Sequence, residues 1–268
     1  MNKTKRLLTT VSLVLATLLF LSFNSICKPL DVFSFNEKKD SILGRQYYEK
    51  AMHYNDSSYE YGFIRLQDSI DKYINLAIAN ENIDAYAYKG HDILFNRNII
   101  IKDTAFALSL LQQAAIKGSE MACFDLGIYF FCKGKPSLGE KYLLKADSLG
   151  CDFALHELSI CFSAGIPRIR LVGCQAIPID NEKSLKYCKI ASEKGYLEAK
   201  IDLMYYYQST GNTTELKSII HNIVNNRNID NESPGTFDQV EIFLNDNFGV
   251  FWKDSVLSWG EQEDFERR

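Results

Sequence analysis

The chain has 268 residues, enough for one large domain or two small ones. Its 46% hydrophobic and 24% charged residues are those of an ordinary globular protein, and only five prolines leave room for long helical stretches. A formal charge of −4 argues against nucleic acid as a partner. No phosphate loop, dinucleotide fingerprint or zinc-peptidase motif occurs, so neither a cofactor nor a metal is expected.

At the N-terminus Lys3, Lys5 and Arg6 precede an apolar run from Leu7 to Phe23. That pattern predicts a signal peptide or a single membrane anchor over residues 1–27, with a linker over 28–39. The run is about the length that separates the two cases. Cys27 is a candidate lipidation site, although Asn24-Ser25-Ile26 before it is a poor lipoprotein signal. In each case the basic residues stay inside and the rest of the chain is exported to the cell envelope or beyond.

Alanine then recurs at two fixed places. Ala77, Ala114, Ala146 and Ala191 form one column, and Ala85, Ala122, Ala154 and Ala199 form a second, always eight residues later. These eight are about half of the 17 alanines in the chain. Counting from Ile70, Ala107, Gly139 and Ser184, apolar positions 0, +3, +4 and +7 share one face of a helix, B. Position +11 holds Glu81, Gly118, Gly150 and Gly195, and glycine there suits the left-handed residue that ends a helix. Positions +15, +19 and +22 share one face of a second helix, A. Alanine at +7 and +15 lets the helix axes approach closely. Each unit is an αα-hairpin that cannot bury its apolar face alone, and stacking buries it. Glu81 and Lys89 depart from the pattern, so a distorted first unit is expected.

The segment from Ser163 to Glu182 interrupts the array, with Arg168 and Arg170 alternating with Ile169 and Leu171. It reads either as an insertion on the binding face or as a short extended segment against the array. Leu216, Ile219, Ile220 and Ile223 mark a last B-type helix. After residue 225 a helix from Thr236, with Val240, Phe243 and Leu244, starts a C-terminal region over 226–268. That region reads as a terminal cap or, through Phe251, Trp252 and Trp259, as an aromatic docking patch.

The array resembles the Sel-one-like repeat family, a relative of the tetratricopeptide repeat. Ala122, Leu126, Gly127, Phe130 and Gly134 match the first half of that family's repeat. Ala107, Leu110, Leu111, Ala114, Ala115 and Gly118 match the second. Leu43, Gly44 and Tyr47 look like an earlier unit, and Tyr207 with Gly211 repeats the spacing of Phe130 with Gly134. The resemblance spans residues 40–225. It implies an all-α fold, a right-handed αα-superhelix, and a role in scaffolding and protein–protein interaction.

Six cysteines follow Cys27, at 123, 132, 151, 161, 174 and 188. An even number in an exported domain suits disulfides, and some exported members of the family bridge within repeats. Within one continuous helix Cys123 and Cys132 are too far apart to bridge, so a bond between them needs Cys132 to leave the helix, which Gly134 permits. The alternative is that several are small buried hydrophobes. Cys151, His156 and Cys161 do not share a helical face and make a poor metal site.

A recognition surface is expected on helix A. Columns +17, +18 and +21 point away from the +15/+19/+22 face, and the family's concave side is lined by this helix. Tyr88, Asp125, Glu157 and Asp202 form column +18, and Ile128 and Tyr205 stand in column +21. Such a groove suits a basic, partly apolar peptide or protein. Packing of helix flanks on neighbouring repeats would instead bury these columns. The reading that follows is a non-catalytic scaffold outside the cytoplasm. The alternative is a ligand-binding protein or enzyme of envelope metabolism on the same solenoid.

Overall fold

A computed structural model describes residues 41–61, 66–95, 103–168, 171, 173–225 and 234–248. The N-terminal basic and apolar segment, Cys27 and the tryptophans therefore lie outside the described residues. Among the described residues there are eleven α-helices and no strand, and no helix is long and apolar enough to cross a membrane. They are α1 (Ile42–Tyr61), α2 (Gln67–Ala79), α3 (Ile83–Phe95), α4 (Thr104–Ile116), α5 (Glu120–Cys132) and α6 (Pro136–Ser148). Then follow α7 (Ala154–Ala164), α8 (Asn181–Glu193), α9 (Leu197–Thr210), α10 (Thr213–Asn225) and α11 (Pro234–Phe248).

The helices pair in chain order. α1 packs on α2, α3 on α4, α5 on α6, α7 on α8 and α9 on α10, and each hairpin also touches the next. Odd-numbered helices are the A helices and even-numbered ones the B helices. This is the expected all-α array of αα-hairpins. All eight column alanines are buried.

Their backbone does further work. In four units the N–H five residues after the first alanine donates to that alanine's carbonyl: Asn82 to Ala77, Ser119 to Ala114, Cys151 to Ala146 and Tyr196 to Ala191, at 2.9–3.0 Å. This six-to-one bond closes a helix through a left-handed residue one position earlier. Gly118, Gly150 and Gly195 supply that residue at φ of 97°, 106° and 100°. Glu81 takes the same role at φ 60°, and is the one non-glycine with positive φ among the described residues. The first unit is therefore not distorted at its turn, contrary to expectation: it keeps the turn and bears the strain. Lys89, in a column otherwise filled by leucine, tucks its stem in and pairs with Asp71 on α2 at 2.5 Å.

The next helix starts at once. Asn82 accepts from the Ala85 N–H at 2.8 Å and Ser119 from the Ala122 N–H at 3.2 Å, each capping an A helix. Burial differs between the two helix types. In α6 only Gly139, Tyr142, Leu143 and Ala146 are buried, one stripe of an amphipathic B helix. In α5 residues 122–128 are all buried, and α7 is buried without a break from Ala154 to Ser159. An A helix is thus enclosed by its own B helix, the preceding B helix and the neighbouring A helices. Space is tight there. A Cβ on Gly127 would lie 2.6 Å from Leu143 Cγ.

The interrupting segment is fastened down. Cys132, at the end of α5, forms a disulfide with Cys174, and the Gln175 N–H donates to the Cys132 carbonyl at 2.8 Å. Ile177 and Asp180 donate back to Gly165 and Phe162, at 2.8 and 2.9 Å. Asp180 then caps α8 by accepting from the Lys183 N–H. At the other end α11 lies against α9, with Val240, Phe243 and Leu244 buried, as a further A helix would.

Candidate functional site: the A-helix row

The A helices stand side by side, and side chains bridge each consecutive pair. The Tyr88 hydroxyl on α3 donates to Asn55 on α1 at 3.4 Å. His91 on α3 meets both carboxylate oxygens of Asp125 on α5 through Nδ1, at 3.0 and 3.1 Å. Phe124 and Phe131 on α5 contact Phe153 and Phe162 edge to face, at 4.7 and 5.6 Å between centroids. His156 Nε2 on α7 meets Asp202 on α9 at 2.7 Å. Tyr205 on α9 packs edge-on against Phe243 of α11 at 5.0 Å.

Column +18 is therefore a ladder, but not the open one expected. Asp125 is 1% exposed, Glu157 2% and Ile128 0%, so none of the three lines an open groove; Asp125 borders only a small cavity between α1, α3 and α5. The physical reason is the enclosure of the A helix. Its flanks face neighbouring repeats rather than solvent, and column +17 (Ala87, Phe124, His156, Ile201) is buried throughout. Asp202 and Tyr205 are half exposed, and Tyr88 is partly exposed. Asp202 nevertheless spends one oxygen on His156.

The two His–Asp rungs are mirror images. In the first the carboxylate is buried and the imidazole half exposed; in the second the imidazole is buried and the carboxylate exposed. Burial disfavours a charged His91, but the Asp125 carboxylate outweighs it and holds the His91 pKa above the ordinary value. Burial in turn pushes the Asp125 pKa up, while His91 pulls it back. His91 also stacks on Phe95 at 4.9 Å.

Around the second rung the interrupting segment contributes directly. Arg168 gives its backbone N–H to Glu157 at 2.8 Å and its Nε–H to the other Glu157 oxygen at 3.0 Å. Its Nη2 reaches His156 Nδ1 at 3.4 Å. With an arginine donating to Nδ1, Nε2 carries the hydrogen that Asp202 accepts. Glu157 is thus a fully partnered buried carboxylate, the condition under which burial of a charge is tolerated. The Arg168 partnership has no sequence signal, since eleven residues and a helix end separate the two.

The B helices form a second row of links. Lys145 donates to the Ala115 carbonyl at 2.8 Å, and Lys194 pairs with Asp147 at 2.5 Å. Lys183 and the Tyr187 hydroxyl share Glu140, at 2.7 and 2.5 Å. Cations near the carboxyl ends of B helices complement the helix dipole.

Among the described residues the four cysteines outside the disulfide, 123, 151, 161 and 188, are buried. Burial pushes Cys123 up to about 11 and Cys151 and Cys188 to about 12, the reverse of an activated thiol. Both expectations for the cysteines thus apply, to different members. Among the described residues no group of three or more His, Cys, Asp or Glu side chains could hold a metal ion.

Together these features define an all-α array of stacked αα-hairpins, linked rung by rung along both helix rows. No family model matches the chain, and no curated protein matches it. Among solved structures it is similar to a Sel1 repeat protein from Oxalobacter formigenes. Identity is 22% and the TM-score 0.46, over 62% of this chain and 64% of that one. It is also similar to c5321, a protective antigen present in uropathogenic Escherichia coli strains and displaying an SLR fold. There identity is 18% and the TM-score 0.46, over 62% of this chain and 34% of the other. The chain spans less than two thirds of either.

Proposed function

We propose that the chain is a non-catalytic interaction scaffold that binds a protein or peptide along the A-helix row, outside the cytoplasm. The observation that carries this reading is the row itself. Successive A helices stand next to one another, so the array offers a long continuous face rather than one enclosed pocket. Repeat arrays use such faces for macromolecules. Along this row Met121 on α5 and Tyr205 and Tyr206 on α9 remain exposed, although most of α5 and α7 is buried. Exposed methionine and tyrosine are suited to a protein interface.

Export is supported by the basic-then-apolar N-terminus and by the Cys132–Cys174 disulfide, a bond that persists in oxidising compartments. A reporter enzyme that is active only outside the cytoplasm, fused after Arg268, is expected to be active. Affinity capture with the full chain from a membrane extract is expected to recover a protein. Recovery of a small ligand and no protein would sink the scaffold reading.

A further inference from the structure

A small cavity of about 170 Å³ opens on the A-helix row between α1, α3 and α5. Tyr48, Asp84, Tyr88, His91, Met121 and Asp125 line it together with Ala87. We propose that this cavity takes the side chain of a lysine carried by the protein partner. The proposal rests on the scaffold reading above and adds a binding chemistry to it.

Three observations carry it. The first is charge: two carboxylates and two phenols line the cavity, with no lysine or arginine among them. The second is the wall. Ala87 and the half-exposed Met121 offer apolar contact to a methylene stem, while tyrosine faces and carboxylates suit an ammonium head. Tyr48 stands in this wall, near Asp84. Its phenol is pushed up to about 12, first by burial and then by the Asp84 charge. The third is size. At ~30 Å³ per water the cavity has room for roughly five or six waters, which fits the five heavy atoms of a lysine side chain. Arginine fits less well, because its side chain carries two more heavy atoms than lysine's and ends in a rigid planar fork. Both Asp125 oxygens already meet His91 Nδ1.

His91 makes the occupancy depend on pH. It faces Asp125 from α5, Tyr48 from α1, and Asp84, Tyr88 and Asp92 on its own helix, and it stacks on Phe95. A protonated His91 already neutralises Asp125, so an incoming ammonium meets a less negative wall. Losing that proton leaves the cavity more negative. Lysine affinity therefore rises as pH increases through the His91 titration, and an occupied cavity shifts that titration to lower pH.

The test uses the full chain and the His91 ring signals in NMR. Nα-acetyl-lysine methylamide is expected to shift these signals saturably and to bind at least fivefold more tightly than the norleucine analogue. Asp84→Asn should weaken the lysine analogue at least fivefold, with the helical circular dichroism unchanged. His91→Gln should flatten the pH dependence. Equal binding of lysine and norleucine analogues, or no saturable shift, overturns the proposal. So does a captured partner that binds undiminished when Ala87→Phe fills the cavity; that result leaves the scaffold reading standing. A lysine analogue that binds while the chain captures no protein overturns the assignment to a partner's lysine in favour of a free amine, and the scaffold reading falls with it.

Discussion

At the scale of single residues, Glu81 shows how the array tolerates an exception. It occupies the left-handed position that glycine fills in the next three units, at φ 60°. A side chain there costs on the order of 1 kcal/mol relative to glycine. Glu81→Gly is expected to raise unfolding stability by about that amount in urea titration, and a loss would show that the side chain contributes more than its strain removes. His91 is the residue whose ionisation matters most. Its pKa is raised in the folded chain, so its charged pairing with Asp125 is complete below about pH 6.5, the free imidazole value. That stabilisation fades as pH rises through the folded value. Asp125→Asn should bring the His91 titration, followed by NMR, down toward the free value. An unmoved titration would mean the pair does not interact electrostatically.

At the scale of elements, the alanine columns and the turn position were legible in the sequence because both are local. Helical periodicity placed Ala77, Ala114, Ala146 and Ala191 on one face, and the left-handed turn follows from glycine chemistry four residues on. The surface of the A helix was not legible, because periodicity counts one buried face and an A helix has several. Asp125 and Glu157 read as exposed acids on that basis, yet each is buried against a cation or a hydrogen-bond donor from outside its own helix. His91 lies 34 residues from Asp125, and no helical spacing connects them. The Arg168–Glu157 pair was hidden for the same reason. Close helix approach sets a further expectation. Ala114→Leu adds three carbons where nothing is exposed, and overpacking of this kind costs about 1–3 kcal/mol. Thermal melts should show the loss; a neutral result would mean that the column is not the contact that fixes helix spacing.

At the scale of the whole molecule, rungs along both rows tie each hairpin to its neighbours, so the stability of one unit depends on the next. The Cys132–Cys174 bond adds a covalent link between adjacent hairpins, from the end of α5 to the segment after α7. Cys174→Ser is expected to cost about 2–4 kcal/mol in unfolding stability, the usual range for a native disulfide. Reductant should then have no further effect on the variant. A variant as stable as the parent would mean that the segment is held by Arg168, Gln175 and Asp180 alone.

The same bond makes part of the molecule inextensible. Residues 132 and 174 are 42 apart in sequence, and everything between them, including all of α6 and α7, is short-circuited when the chain is pulled from its ends. Tension passes through two sulfur atoms and bypasses the intervening backbone. Stretched in an optical trap, the oxidised chain should come up short of the reduced one by roughly 150 Å of contour, at about 3.5 Å per residue. In a scaffold loaded along its length α6 and α7, inside the closed loop, would carry none of the tension, and the hairpins outside it would extend first.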